Sequence, residues 1–489
     1  MDGKLTLSLD DAIRLALENN TNIRIGEEQV ETAKDALERA LGVFDPNVQA
    51  SFNSTRQLQE QYLELGSGSS ILNSLNQFTT VTFSQNFETG TQFQTQFSSS
   101  KFTSNSSFYF FSPAFSTGLS FNIVQPLLRG GGWVVNRAPI VVAQRGIAQS
   151  RASFEAQVND TLLRVVNDYW SAIQARENVV VQQESLDEAQ KSYERDKHSL
   201  ELGALPPLDI YRSESQVASR RVAEIQAEYA LKQMEDQLRL DIGADIDDNI
   251  RALDLSLTEK PEPTGTLMSI DIPTALQKAL EYRPELESVR QQLAADDTNI
   301  RVAHNGLLPN LSLTGGYTTS GLNNITVNGN LVAGTYGDAI GQMFGFGYPT
   351  YQFGLNLNYS FRNRQAEAAM GDALSAKRRD LYSERQTHEQ IILSVTNAVH
   401  QVEQAKLSME SANVALDLAK KTLQAEQHKY ELGAESVFFV LEAQTELTQA
   451  EQSLLQSQVS YQMATAQVEH DTGGLLARFQ VQISGLSRH

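Results

Sequence analysis

The sequence predicts an α+β membrane protein built from two internal structural repeats, each running helix, strands, then long paired helices. Three observations predict it: a duplicated set of motifs, an aromatic texture that alternates with uncharged polar residues, and apolar positions spaced by seven. Leu9-Asp10-Asp11-Ala12 through Ala16-Leu17-Glu18 reappears as Ile272-Pro273-Thr274-Ala275 through Ala279-Leu280-Glu281, and the same shift of 263 carries Pro46-Asn47 onto Pro309-Asn310. Leu202-Gly203-Ala204 recurs as Leu432-Gly433-Ala434, and Asp241-Ile242-Gly243 as Asp471-Thr472-Gly473, both shifted by 230. The first copy therefore holds about 33 residues more than the second (263 − 230) between these blocks.

The helices that open each unit are expected over 9–42 and 272–305. In the first, Ile13, Leu17, Ile23, Val30, Ala33 and Leu37 fall at helical spacing and Pro46 closes the run. The strands follow. Between Phe44 and Phe121 lie 13 of the 21 phenylalanines, set among Ser, Thr, Asn and Gln. Alternation is plain from Phe115 to Ile123, and plainer in Tyr351-Gln352-Phe353-Gly354-Leu355-Asn356-Leu357-Asn358-Tyr359-Ser360-Phe361. One face is apolar and the other polar without charge, which suits a strand between lipid and a water-filled lumen. A soluble antiparallel sandwich would alternate in the same way. Phe83 to Phe97, with Glu88-Thr89-Gly90 as a turn, reads as an additional hairpin that accounts for much of the surplus.

Long helices are expected over 138–201 and 365–431, returning over 206–241 and 437–471. Val158, Val165, Ala172, Val179, Leu186, Tyr193 and Leu200 recur every seven residues, and so do Val440, Leu447, Leu454, Tyr461 and Val468. A seven-residue period imposes left-handed supercoiling. At about 1.5 Å per residue, some 60 residues make a rod on the order of 90 Å. These readings divide the chain into a first repeat (1–243, strands within 47–125), an acidic, proline-marked crossover (244–268), a second repeat (269–473, strands within 310–361) and a tail (474–489).

Composition excludes several functions. The chain has no cysteine, so no disulfide, thiolate metal site or lipid-bearing N-terminal cysteine is expected. A formal charge of −20 repels phosphate backbones, so no nucleic-acid partner is expected. No run approaches the 18 apolar residues of a spanning helix. No export signal precedes the first helix, so an exported protein would be a mature or trimmed chain. The seven histidines include no HExxH pair, Gly130-Gly131-Gly132 lacks the Gly-Lys-Ser/Thr of a phosphate loop, and no Gly-x-Ser-x-Gly elbow occurs. No enzyme activity, cofactor or metal is expected.

Both Leu-Gly-Ala turns end a long helix and precede another. Glycine there gives a left-handed C-cap, and Pro206-Pro207 sits where a helix begins. The turns are helix-hairpin corners; gathered at one end of the helices, they would also form an exposed tip or a pore constriction.

Several motifs carry a family likeness: Leu7 to Ala12 with Asn19-Asn20, Arg283-Pro284-Glu285-Leu286, Pro309-Asn310-Leu311, Gln125-Pro126-Leu127-Leu128 and the two glycine turns. In order, duplication and spacing they resemble the TolC family of bacterial outer-membrane efflux proteins over essentially the whole chain. That resemblance implies a homotrimer in the outer membrane. Each protomer would give four strands to a shared transmembrane β-barrel, continued by a long periplasmic α-helical barrel with an equatorial collar, to which the crossover and tail would belong. It implies an exit duct in a tripartite efflux or type I secretion system, with a periplasmic adaptor (membrane fusion) protein and an inner-membrane pump of RND, ABC or MFS type as partners.

By position, the resemblance makes Asp209 a tip aspartate, Tyr430 a tyrosine holding the closed tip and Glu442 a lumen-facing acid of the gate. Gly203, Ala204, Leu205, Gly433, Ala434 and Glu435 become adaptor-contact tips. Two positions depart from the pattern. Phe439 stands where an acid is frequent, and Glu435 where a basic gate residue is found, so the closing ion pairs do not transfer; Phe438 and Phe439 would supply an aromatic constriction or fill a coiled-coil seam. The rival from another class is a coiled-coil scaffold or adhesin with an incidental β domain.

Overall fold

A computed structural model describes residues 4–61, 70–106, 109–202, 207–244, 254–263, 267–327 and 330–479. In chain order the elements are β1 (Lys4–Leu7), α1 (Leu9–Asn19), α2 (Thr21–Leu41), β2 (Asn47–Gln61), β3 (Ser70–Asn86), β4 (Gln92–Ser104), β5 (Ala114–Pro126), α3 (Trp133–Asn136), α4 (Ala138–Glu201) and α5 (Pro207–Asp241). They continue with β6 (Asp254–Leu257), α6 (Ile272–Tyr282), α7 (Pro284–Gly306), β7 (Asn310–Leu322), β8 (Asn324–Val327), β9 (Asn330–Ala333), α8 (Tyr336–Phe344), β10 (Pro349–Asn358), α9 (Arg364–Glu431), α10 (Val437–Asp471) and α11 (Leu475–Arg478). Much of the expected crossover (245–253, 264–266) and most of the tail (480–489) lie outside the described residues.

The chain divides into two compact units, one of Met1–Thr32, Ala148–Gln291 and Leu381–His489, the other of Ala33–Ile147 and Gln292–Asp380. The first unit is helical. Its core collects Leu162, Val165, Tyr169 and Ile173 of α4, Ile13 and Ala16 of α1, Leu238 of α5 and Leu475 of α11. Fully burying each such aliphatic side chain contributes about 1.5–3 kcal/mol. Val158, Leu162, Val165, Tyr169 and Ala172 are buried at steps of four and three, the stripe that a heptad repeat produces. β1 and β6 pair in parallel, and the Tyr169 hydroxyl donates to the Leu7 carbonyl at 3.0 Å. A second cluster packs Ile391, Val395 and Ala398 of α9 against Ala275 and Ala279 of α6 and Tyr461 of α10.

Two expected helices are each broken in two. The first (9–42) stops at Asn20, whose backbone is extended and whose side-chain oxygen accepts from Ile23 N at 3.3 Å, capping α2. The second (272–305) stops at Arg283, because the residue before a proline is pushed out of the helical region and Pro284 then starts α7.

The second unit is built on a six-stranded antiparallel sheet in the order β10-β7-β5-β4-β3-β2. The family resemblance implies four strands; the sheet has six. The difference is the hairpin β3–β4, turning at Phe87–Thr91, where Gly90 N donates to Phe87 O at 2.8 Å. Pairing registers put Val48, Ala50 and Phe52 (β2), Val81 and Phe83 (β3), Phe93 and Phe97 (β4), Leu119, Phe121 and Ile123 (β5), Leu313 and Tyr317 (β7), and Tyr351, Phe353, Leu355 and Leu357 (β10) on one face. The other face carries Gln49, Ser51, Asn53, Thr82, Gln94, Gln96, Ser120, Asn122, Ser312, Thr314, Gln352 and Asn356, with Leu72, Phe78, Phe102, Val124 and Leu322 among its apolar exceptions.

Within 310–361, where strands are expected, β8, β9 and a further helix, α8, lie between β7 and β10. α8 lies on the apolar face: Thr117 Oγ1 donates to Ala339 O at 2.8 Å and Thr319 Oγ1 to Met343 O at 2.9 Å. Among the described residues no helix is long and apolar enough to cross a membrane.

Candidate functional site

The second glycine turn is built as the sequence requires. Gly433 has φ +69°, Ala434 N donates to Lys429 O and Gly433 N to Tyr430 O, both at 2.9 Å, so the end of α9 is closed by a Schellman motif. Among the described residues nothing stands within 4 Å of the missing side chain, so the left-handed backbone is what selects glycine there. α9 and α10 meet through Leu423, Val440 and Ala443, with Tyr430 and Leu447 beside them. The matching tip residues Gly203, Ala204 and Leu205 lie outside the described residues.

Tyr430 is tied to the other helix pair. Its hydroxyl donates to Asp196 Oδ1 of α4 at 2.7 Å, and Ser213 of α5 donates to the other oxygen of the same carboxylate. Asp196 is fully buried. Beside it, Ser192 Oγ accepts from Gln444 Nε2 of α10 and from Arg195 Nη2, each at 3.0 Å. Burial, and then the Asp196 carboxylate, push the Tyr430 phenol above its usual range, so it remains a donor. Asp209, in the first turn of α5, is half-buried and adds negative charge near that phenol.

The other expected gate residues sit apart from this bond. Phe438 and Phe439 stack edge to face at 5.4 Å and stay nearly half exposed, so they do not fill a seam within the chain; Val437, Val440 and Leu441 do. Arg212 lies 5.8 Å over the Phe438 ring. Glu442 is exposed. Glu435 is 3.5 Å from Lys429, which also pairs with Glu426 at 2.7 Å, so a cation six positions back meets the acid that replaces the family's basic residue.

Sequence reasoning missed Asp196, Ser213, Ser192 and Gln444. One signal was present: Gln182, Leu186, Ala189 and Asp196 continue the buried stripe of α4, and an acid in such a stripe requires donors.

Further along the helices, α4, α9 and α10 enclose a groove of about 1020 Å³ lined by Asn167, Gln174, Asn178, Gln401, Gln404, Gln449, Gln452 and Gln456 with serines and a few apolar residues, and without a charged side chain. Gln452 Nε2 donates to Asn178 Oδ1 at 2.9 Å, and Gln174 donates to Gln456, so amide pairs join α4 to α10.

A second polar node lies at the end of α10. His470 Nε2 is 2.8 Å from Asp160 and Nδ1 is 2.9 Å from Asp471, whose carboxylate is 3.9 Å from Arg283. Burial opposes the charge, but the hydrogen bonds to Asp160 and Asp471 outweigh it and push His470 up to about 9. The folded value exceeds the ordinary 6.5, so protonated His470 stabilises the fold fully below that pH and its contribution is lost as pH rises through about 9. His470→Gln is expected to cost stability near neutral pH, the cost shrinking by up to about 1.4 kcal/mol per pH unit across that window. Thermal unfolding of both proteins as a function of pH measures it; a constant difference would remove the assignment.

The family model for outer membrane efflux protein matches residues 92–244 and 275–474. The outer membrane protein TolC of Vibrio cholerae serotype O1 is 24% identical over 373 residues, covering 74% of this chain and 77% of its own length. Among solved structures, a membrane protein from Pseudomonas aeruginosa has a TM-score of 0.69 at 18% identity, with 95% of this chain and 93% of that one covered. The outer membrane protein VceC from Vibrio cholerae has a TM-score of 0.68 at 15% identity, with 95% and 96% covered. These likenesses establish the fold, and the match to the family model spans well over half of the sequence. The chain belongs to the outer membrane efflux protein family.

Proposed function

We propose that the protein is a passive exit duct of the outer membrane, working in a tripartite efflux or type I secretion system without catalysis of its own. In this reading it is a homotrimer whose sheets share one transmembrane barrel and whose long helices form a periplasmic α-helical barrel. A periplasmic adaptor contacts the tips around Gly203, Ala204, Leu205, Gly433, Ala434 and Glu435 and opens the channel, and an inner-membrane pump of RND, ABC or MFS type feeds it. The observation that carries the reading is the sheet of the second unit, with one face rich in aliphatic and aromatic side chains whose charged residues are Arg56, Glu60 and Lys101, a polar face whose strand residues carry no charge, and two outer strands that pair, among the described residues, on one side. A sheet in hydrocarbon must close, because unpaired backbone groups there cost several kcal/mol each.

The two-repeat organisation is supported by matching contacts. Gly243, at φ +66°, lies against Asn19, and a Cβ there would come within 2.7 Å of the Asn19 Cβ. Gly473, at φ +74°, lies against Tyr282, at 3.1 Å. Asn19 and Tyr282 are 263 positions apart, Gly243 and Gly473 are 230 apart, so both offsets of the sequence repeat recur in one contact.

Reconstitution tests the duct. Discrete single-channel steps from detergent-extracted protein are expected, whereas water-soluble protein and silent bilayers would favour the scaffold reading. In the proposed gate, Tyr430 holds the tip, with Asp209 and Phe439 beside the pore, and three copies of Glu442 form an acidic ring that favours cations. Glu442→Gln is accordingly expected to shift the reversal potential in a salt gradient toward that of an unselective pore. An unchanged potential would remove Glu442 from the lumen.

A further inference from the structure

The geometry points to a membrane wall of eighteen strands, six from each of three copies, closed by pairing β10 of one copy with β2 of the next so that Val48 faces Leu357 and Phe52 faces Phe353. This rests on the trimeric reading above and adds the strand count, the two edges that meet and their register.

The edges come first. β2 has 15 residues and β10 has 10, and among the described residues each is hydrogen-bonded to a neighbouring strand on one side only. All five pairings in the sheet are antiparallel, so β2 and β10 run in opposite directions. Copies arranged head to tail in a ring therefore meet antiparallel at every seam, and the wall keeps the even strand count of such barrels.

The faces then restrict the register. The apolar face takes even-numbered positions of β2 (Val48, Ala50, Phe52) and odd-numbered positions of β10 (Phe353, Leu355, Leu357). A slip by one residue would set apolar side chains of one copy beside polar ones of the next, so half of all registers are excluded.

The repeat selects one of those that remain. At the junction between halves inside the chain, Pro126 of β5 stands opposite Ser312 of β7. The copy-to-copy seam is the same junction with the halves exchanged. Carrying Pro126 forward by 230 reaches Asn356 of β10, and carrying Ser312 back by 263 reaches Gln49 of β2. Asn356 opposite Gln49 is the register in which Leu357 faces Val48 and Phe353 faces Phe52. The offsets come from helix motifs, the glycine turns and the residues leading into β2 and β7, with no reference to strand faces. They nonetheless place Val48, Ala50 and Phe52 opposite Leu357, Leu355 and Phe353, with Ser54 opposite Tyr351 beyond them, set polar on polar on the other face, and bring Asn47, the first residue of β2, level with Asn358, the last of β10.

Keeping β3–β4 in the wall has a functional consequence. Barrels of 16–18 strands leave an aqueous channel. A lumen of that width, lined by Gln, Asn, Ser and Thr, passes cargo without selecting it, and the narrow point moves to the helical tip. The rival wall has twelve strands, with β2 and β3 folded away and β4 as the edge.

The cysteine-free chain makes the test direct. Opposed residues on antiparallel strands have Cα atoms about 4.5–5.5 Å apart, inside the range a disulfide bridges, while a slip of two residues widens the gap to about 7–8 Å. Full-length protein carrying Phe52→Cys with Phe353→Cys, oxidised in outer membranes and run on a non-reducing denaturing gel, is expected to appear mainly as a covalent trimer. Gln49→Cys with Asn356→Cys, on the polar face, is expected to do the same and guards against a folding defect at the aromatic positions. Phe52→Cys with Gly354→Cys is expected to give no trimer band. A band from Phe97→Cys with Phe353→Cys, with none from the first two pairs, would establish β4 as the edge and overturn the proposal. So would the absence of bands from both opposed pairs in protein that sediments as a trimer. Sedimentation as a monomer would instead overturn the trimeric reading itself.

Discussion

Tyr430→Phe is expected to raise the open probability of the reconstituted channel by about tenfold or more while leaving assembly intact. The Tyr430 hydroxyl donates to Asp196 at 2.7 Å and joins the end of α9 to α4. A hydrogen bond to a charged group contributes about 1.5–3 kcal/mol, and every 1.4 kcal/mol is tenfold in an equilibrium. Ser213 still donates to the buried carboxylate after the substitution, so the fold is not left with a bare charge. Asp196→Ala removes the acceptor for both hydroxyls and is expected to act more strongly, with some loss of thermal stability. Single-channel recording decides the matter: an open probability equal to wild type for both variants would mean that this bond braces one chain and does not gate the pore.

Leu355→Arg is expected to abolish accumulation of assembled protein in the outer membrane, while Asn356→Arg, one residue on, is tolerated. Leu355 is 62% exposed on the apolar face of β10, next to Phe353 at 81% and Leu357 at 66%. A lipid-facing arginine costs about 2–4 kcal/mol at the bilayer midplane, and a trimer bears that cost three times. Asn356 is on the polar face, where a guanidinium would remain hydrated. Western blots of outer-membrane fractions against folded-trimer migration measure the contrast. Equal tolerance of both variants would contradict the assignment of the two faces.

What the sequence made legible was periodic. Sevenfold spacing of Val158, Val165 and Ala172 was readable as a long helix because one buried stripe serves many turns, and α4 runs from Ala138 to Glu201. Alternation from Tyr351 was readable as a two-faced strand for the same reason, although β10 ends at Asn358, before Tyr359 and Phe361. The breaks were harder to see. Asn20 and Arg283 each interrupt an otherwise helical pattern, and only Pro284 marks its position openly. α8 lies within the segment expected to hold strands, where glycines at 337, 341, 345 and 347 weaken a helical pattern, although Thr335 and Asp338 form a capping box at its start.

At the candidate site, Tyr430 was singled out by its position in the family resemblance, three residues before the glycine turn at Gly433. Its partner Asp196 is 234 positions away, and no spacing rule links the two. Glu435 was read as a departure from the family's pattern; the nearby Lys429 that offsets it became visible only once Gly433 had turned the chain back on itself.

The most direct measurement is spin-label accessibility along β10 in reconstituted liposomes, one labelled cysteine at a time from Tyr351 to Asn358. A shared wall requires oxygen access to peak at Tyr351, Phe353, Leu355 and Leu357 and access of a water-soluble nickel reagent to peak at Gln352, Gly354, Asn356 and Asn358. Labels at all eight positions shielded from both reagents, in protein that sediments as a monomer, would show the aromatic face packed within a single chain and contradict the membrane channel.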